Sequence, residues 1–255
     1  MSNRQSSLKH ALAIAKYIKP ESLRTIIDIG AQYETDFLAE ICPESYHYLI
    51  EPCSHYHARL SHYYKSRNIN HEIIRCPMYS EKIKLFLHKV SQDQSGNITH
   101  TSLKSEVDKE LQFLLEIEEL TCQTIDSFIS KRKEKVKPLE YLIKIDVDGN
   151  DDEIIKGGQN SIKDASFVII ENSVGNTETF INRLKSIADL GFDIYDICDN
   201  AYYYNQLSLV DIMLINKKLK SSEIKFKPWN YSGNKVVWDQ WRRIAQNPPT
   251  LEIKF

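Results

Sequence analysis

Residues 26–37 read IIDIGAQYETDF. An apolar run from Thr25 to Ile29 drops into Gly30-Ala31 and then into polar residues. A buried parallel strand ends this way when its loop must approach a ligand closely. A dinucleotide fingerprint requires further glycines at fixed spacing, and Glu34 stands where a second one is expected. Taken alone, the stretch reads as an ordinary strand–turn–helix corner. The rest of the chain has to decide.

Working outward, the apolar runs RTIIDIG (24–30), YHYLIEP (46–52), HEIIRC (71–76), LEYLIKI (139–145) and ASFVII (165–170) each fit a buried strand. Helical patterns separate most of them, over about residues 6–18, from Thr35 to the break at Pro43, and along HYHARLSHYYKSRN. NTETFINRLKSIADLG forms another, with Gly191 as its C-cap. Alternating strands and helices predict an α/β, doubly wound, mostly parallel sheet. FDIYDIC (192–198) and LVDIMLIN (209–216) have no helix between them and predict an antiparallel edge strand. KIKLFLHKV is a further strand candidate, SQDQSGNITHTSLKSE reads as a loop, and DKELQFLLEIEELTCQTIDSFISKRKEK mixes helical periods with a strand around Leu120 to Gln123. The organisation is an N-terminal helix (1–22), a main domain (23–216) and an extension (217–255) that holds Trp229, Trp238 and Trp241.

Among the 255 residues, 42% are hydrophobic and 27% charged, as in globular chains. A net charge of -2 provides no electrostatic reason to expect nucleic acid as partner. No apolar run reaches the roughly 20 residues of a membrane span. The first residues read as an amphipathic helix and not a signal, so a cytoplasmic location is expected. The cysteines (Cys42, Cys53, Cys76, Cys122 and Cys198) are odd in number and form no C-x-x-C pair, which predicts free, structural thiols.

Ligands of open α/β sheets lie beyond the carboxyl ends of the strands. Acids cluster there: Asp28 in the first strand, Glu51 after the second, Asp146, Asp148 and Asp151 after LIKI, and Glu171 beside Asn172 after FVII. Glu51 follows the Gly30 loop by about twenty residues, where a carboxylate can accept hydrogen bonds from both hydroxyls of a ribose. Asp28 is costly to bury without partners, so it is expected to organise the loop amides.

IIDIGAQYETDF, YLIEPCSHYHARL, TIDSF, LIKIDVDGNDDEIIKGG and FVIIEN follow one another in an order that resembles the FkbM family of S-adenosylmethionine-dependent methyltransferases. The run from Lys144 to Gly158 is the most specific part. Gln32 stands for the family's usual Asn, Glu34 for a Gly, and Asp148 and Asp151 for glutamates. The resemblance implies a class I methyltransferase fold with Asp28, Gly30, Ala31 and Gln32 around the methionine portion of the cofactor. It places Glu51 on the ribose, Pro52 and Cys53 at the adenine pocket, and Cys76, Pro77 and Met78 beside the adenine. Thr101 and Ser102 match a serine-rich element near the active site. The implied reaction is O-methylation of a sugar hydroxyl, on a nucleotide-activated sugar such as a GDP-heptose or on a glycan of surface polysaccharide. A natural-product hydroxyl, or a non-catalytic cofactor-binding protein, is the alternative.

Asp146 with Glu171-Asn172 is also similar to the magnesium ligands of catechol-type and macrolide-sugar methyltransferases, so a divalent metal (Mg or Mn) on these three residues is expected. Asp148 and His100 are base candidates, and Asp146 is counted with them as catalytic. Lys144 is expected behind them or as the partner of an acid. The tail predicts a lid or a homo-oligomer contact.

Overall fold

The computed structural model describes residues 7–219. Residues 220–255 of the extension, the three tryptophans with their expected lid or oligomer role included, lie outside the described residues. Helix α1 (Leu8–Ile18) is capped by Ser7, whose side chain accepts from the His10 N–H. Then come β1 (Thr25–Ile29), α2 (Asp36–Ile41), β2 (Tyr46–Ile50), α3 (Ser54–Ser66) and β3 (His71–Ile74). The middle of the chain forms β4 (Lys84–Val90), β5 (His100–Lys104), β6 (Leu114–Thr121) and α4 (Ile125–Ser130). The remainder is β7 (Tyr141–Ile145), α5 (Asp151–Lys156), α6 (Gln159–Ile162), β8 (Phe167–Ser173), α7 (Thr177–Asp189), β9 (Phe192–Tyr203) and β10 (Gln206–Asn216).

Seven strands form one sheet in the order β3-β2-β1-β7-β8-β10-β9. The first five in that order run parallel, and β10 is antiparallel to both β8 and β9. The antiparallel strand therefore belongs to the edge hairpin and sits one place in from the rim. Alternation along the strands divides the core between two faces. Ile27, Ile143, Ile145, Val168, Ile170 and Ile212 pack with α4 to α7, while Ile26, Leu142, Ile169 and Met213 pack with α1 and α2. Helices on both faces make the sheet doubly wound. Its strand order reverses between β1 and β7, where a crevice opens at the carboxyl edge.

Two expectations fail in the middle of the chain. Residues 100–104, read as loop, form β5, and the strand expected around Leu120 starts earlier, at Leu114, as β6, leaving only α4 of the mixed segment helical. Both strands pair antiparallel with β4 in a separate three-stranded sheet. Pairing overrides local propensity here: Lys89 of β4 is buried and holds Glu116 and Glu118 of β6 at 3.1 and 2.9 Å. Leu87 packs with Cys53 and Tyr56 at the start of α3 and with Leu103 of β5. That contact sets the small sheet beside the crevice.

Candidate active site

Gly30 ends β1 with φ +88°, and a Cβ there would lie 1.9 Å from the Asp146 carbonyl oxygen. Only glycine lets the loops after β1 and β7 approach this closely. Gln32 follows with φ +45°, a left-handed conformation that Asn tolerates better than Gln. Glu34, at the place of the missing glycine, turns outward to pair with Arg59 of α3. The loop thus keeps one obligatory glycine, and the second position carries a surface ion pair.

A cleft of about 580 Å³, its open mouth included, lies over this junction. Gly30, Gln32, Glu51, Pro52, Asp146 and Asp148 line it on the side of the large sheet. Pro77 and Met78 line it after β3, and Thr101, Ser102 and Leu103 from β5. These ten residues expected at the site, Leu103 aside, are brought together. Ala31, Cys53 and Cys76 do not line the cleft. Ala31 and Cys53 are buried in the packing around α3, and the Cys76 thiol donates to the Thr121 carbonyl at 3.2 Å.

Glu51 is 2% exposed. Its Oε1 accepts from the Cys53 N–H at 2.7 Å and its Oε2 from the Gln32 N–H at 2.9 Å. Each carboxylate oxygen retains a lone pair, so two hydroxyls can still be accepted. Burial pushes its pKa up to about 7, against the two amides that lower it.

Asp28 does not organise the loop amides as expected. Fully buried, it accepts from the Thr35 hydroxyl at 2.6 Å and lies 3.3 Å from Lys144 Nζ, which also reaches Asp146 at 2.9 Å. The carboxylates sit in the face of the sheet that carries α1 and α2, because residues 28 and 144 alternate with the core isoleucines. Burial alone would lower the Lys144 pKa, but Asp28 and then Asp146 more than offset this and raise it. Lys144 is thus the buried clamp between the β1 and β7 strand ends.

Ile29, Ile145, Ile170 and Ile212 form one row across β1, β7, β8 and β10. One step beyond, toward the carboxyl edge, come Gly30, Asp146, Glu171 and Asp211. Glu171 and Asp211 are direct cross-strand partners. Burial raises both to about 7, and Asp146 adds to the effect on each. Asp211 was missed in the sequence because it sits in the middle of a strand, away from any motif. Asp148 lies 3.3 Å from His100 Nδ1, so the two base candidates form one pair. Burial raises the Asp148 pKa, His100 opposing and Asp146 adding.

The expected metal set does not fit. Asn172 alternates away from Glu171 onto the opposite face of β8, and its amide donates to the Ile170 carbonyl at 3.1 Å. Among the described residues no group of three or more His, Cys, Asp or Glu side chains is arranged to hold a metal ion.

The TIDSF motif has a structural role. Thr124 caps α4, and Asp126 accepts from the N–H groups of Asn160 and Ser161. In KGG, a Cβ on Gly157 would lie 2.2 Å from the Tyr79 carbonyl oxygen. These residues hold the walls of the cleft.

A doubly wound sheet of this order, with a single-glycine loop and a buried acid at the second strand end, defines a class I, S-adenosylmethionine-dependent methyltransferase. More particularly, the chain belongs to the FkbM family: the model described as Methyltransferase FkbM domain matches residues 28–194. No curated protein matches it. Among solved structures it is similar to an rRNA methylase from Streptococcus thermophilus, at 10% identity over 82% of this chain and 93% of that one, with TM-score 0.46. Aeropyrum pernix fibrillarin in complex with natively bound S-adenosyl-L-methionine matches at 13% identity over 80% and 74%, with TM-score 0.44. An O-methyltransferase from Bacillus cereus in complex with SAH matches at 13% identity over 84% of each chain, with TM-score 0.40.

The cleft fits this cofactor: a buried carboxylate with spare lone pairs faces apolar walls from Met78, Leu87 and Ile50. If Glu51 holds the ribose, Glu51→Ala should weaken binding about ten- to hundredfold, the scale of charge-assisted hydrogen bonds. Ribose hydroxyls would donate to the ionised form, whereas burial holds the Glu51 pKa up at about 7 in the free protein. Wild-type affinity should therefore be flat above pH 7 and fall about tenfold per unit below it, a slope that Glu51→Ala abolishes. Calorimetry with S-adenosylhomocysteine from pH 5.5 to 8.5 checks both. An unchanged affinity in a folded variant removes Glu51 from the site.

Proposed function

We propose that this chain transfers the methyl group of S-adenosylmethionine to a sugar hydroxyl, on a nucleotide-activated sugar or a glycan. The observation that carries the reading is the row of carboxylates, Asp146, Glu171 and Asp211, continuing from the cofactor loop across β7, β8 and β10. Carboxylates accept from hydroxyls, and a polyhydroxylated ring supplies several donors at once. The same row disfavours a polyanionic acceptor such as nucleic acid, since like charges repel in a half-buried setting.

When bound, the cofactor supplies a methyl group on a sulfonium, an electrophile that needs a positioned nucleophile more than it needs further activation. In this reading Glu51 and the Gly30 loop orient the cofactor, and Asp146 and Glu171 hold acceptor hydroxyls. Asp148 takes the proton of the reacting hydroxyl. Its raised pKa makes it a stronger base than an ordinary carboxylate. The adjacent His100 stabilises the ionised partner and fixes its orientation.

The test is incubation with methyl-labelled S-adenosylmethionine and separate arms of GDP-mannose, UDP-glucose, an oligosaccharide pool and total RNA, followed by mass detection of product. Label on a sugar oxygen is expected. Label on RNA alone, or none in any arm with the cofactor bound, overturns the reading.

A further inference from the structure

The hairpin of β9 and β10 is longer than the sheet it joins. β10 pairs with β8 only over Leu209–Ile215, so residues 199–208 project past the carboxyl edge, on the side of the cleft. The tip carries three consecutive tyrosines, Tyr202, Tyr203 and Tyr204, which are 65%, 67% and 84% exposed. Tyr203 and Tyr204 stand edge to face at 4.4 Å, and Tyr202 lies opposite Leu207.

The turn is unusual in its residues. Tyr204 and Asn205 take φ of +48° and +61°, as a two-residue hairpin loop of type I′ demands. Asn suits that conformation, whereas a bulky Tyr is strained there. Strain of this kind collects at ligand sites. The base of the hairpin is held on both sides: the Leu8 N–H donates to Asp199 Oδ2 at 2.9 Å, and the Val174 N–H to the Ser208 carbonyl at 2.9 Å. An anchored base with an exposed aromatic tip is the build of a platform.

Along β10, Leu207 stands four residues from Asp211, about 13 Å at strand rise. Asp211 and the turn that carries the tyrosines thus lie along one hairpin, within the span of one or two sugar rings. A pyranose presents hydroxyls at its rim and C–H bonds on its faces. Aromatic rings, with their negative faces, attract such C–H bonds, and the carboxylates accept the hydroxyls.

We propose that the Tyr202–Tyr204 tip is the acceptor platform, stacking on the C–H face of an outer hydroxylated ring while the rest of the acceptor extends back to Asp211 and Glu171. This rests on the sugar-methyltransferase reading above and adds the residues that select the ring. The platform binds the acceptor and leaves the cofactor untouched.

The test uses the full chain loaded with S-adenosylhomocysteine, as wild type, Tyr202→Ala/Tyr204→Ala and Tyr202→Phe/Tyr204→Phe. Calorimetry first measures cofactor affinity in each. Saturation-transfer NMR then follows methyl α-glucopyranoside and GDP-mannose as probes. Wild type and the Phe pair should bind a probe with saturation on ring C–H protons, and the Ala pair should bind it about tenfold more weakly, the scale of two aromatic contacts. Cofactor affinity should be the same in all three. Equal probe binding by the Ala pair overturns the platform and leaves the methyltransferase reading standing. Loss of an oligomer in the Ala pair by light scattering, with probe binding unchanged, makes the tip a contact between copies instead. Wild type that binds cofactor but neither probe overturns the ring class, and wild type that binds no cofactor overturns the underlying reading.

Discussion

Asp148→Asn should lower kcat about 10²–10⁴-fold, the contribution of a positioned general base, with S-adenosylhomocysteine affinity unchanged. Asn keeps the shape and the contact with His100 but cannot take a proton. Asp148 lines the cleft beside Thr101 and Ser102, where an acceptor hydroxyl would meet the methyl group. Burial holds its pKa above the usual 3.8. The base must be ionised, so wild-type kcat is lost as pH falls through this raised value, and the acid limb lies at higher pH than a free aspartate would give. The variant should lose that limb along with the rate. Single-turnover measurements across pH check both. A variant with wild-type kcat and the same acid limb assigns proton removal elsewhere, with Glu171 and Asp211 as the next groups to test.

Lys144→Met should cost about 3–5 kcal/mol of folding stability, because it leaves the fully buried Asp28 without its counter-charge. Met fills similar space, so the loss reports charge and not a cavity. Lys144→Met/Asp28→Asn should recover much of it, since the stranded charge has gone and Thr35 can still bond the amide. Urea denaturation of the three proteins gives the cycle. A Lys144→Met loss below about 1 kcal/mol, the level of an exposed pair, contradicts the clamp.

The features legible in the sequence were those with short-range causes. Apolar runs marked β1, β2, β7 and β8, because both faces of these strands are covered and no alternation is needed. Gly30, Gln32, Glu51 and the stretch 146–148 were placed by strand ends and by the ordered family motifs. What could not be read depends on pairing across distance. β5 is a polar segment that becomes a strand only beside β4, and the glutamates of β6 favour a helix until Lys89 pairs with them. Asn172 was expected beside Glu171 as a ligand, yet continued pairing of β8 with β10 through Ser173 turns it to the other face. Asp211 joins the carboxylate row only because β10 runs antiparallel beside β8. The tyrosine tip follows from how far β9 and β10 outrun β8, a length that a two-residue turn of Tyr-Asn does not announce.

The central claim is that a methyl-donor cofactor lies over the β1–β7 junction with its ribose on Glu51. The most direct measurement is a crystal structure of the protein soaked with S-adenosylhomocysteine. The account predicts density with both ribose hydroxyls within about 3 Å of the Glu51 carboxylate, the amino-acid end at Gly30 and Gln32, and the adenine against Met78. Density elsewhere on the molecule, or a ribose that does not touch Glu51, would contradict it.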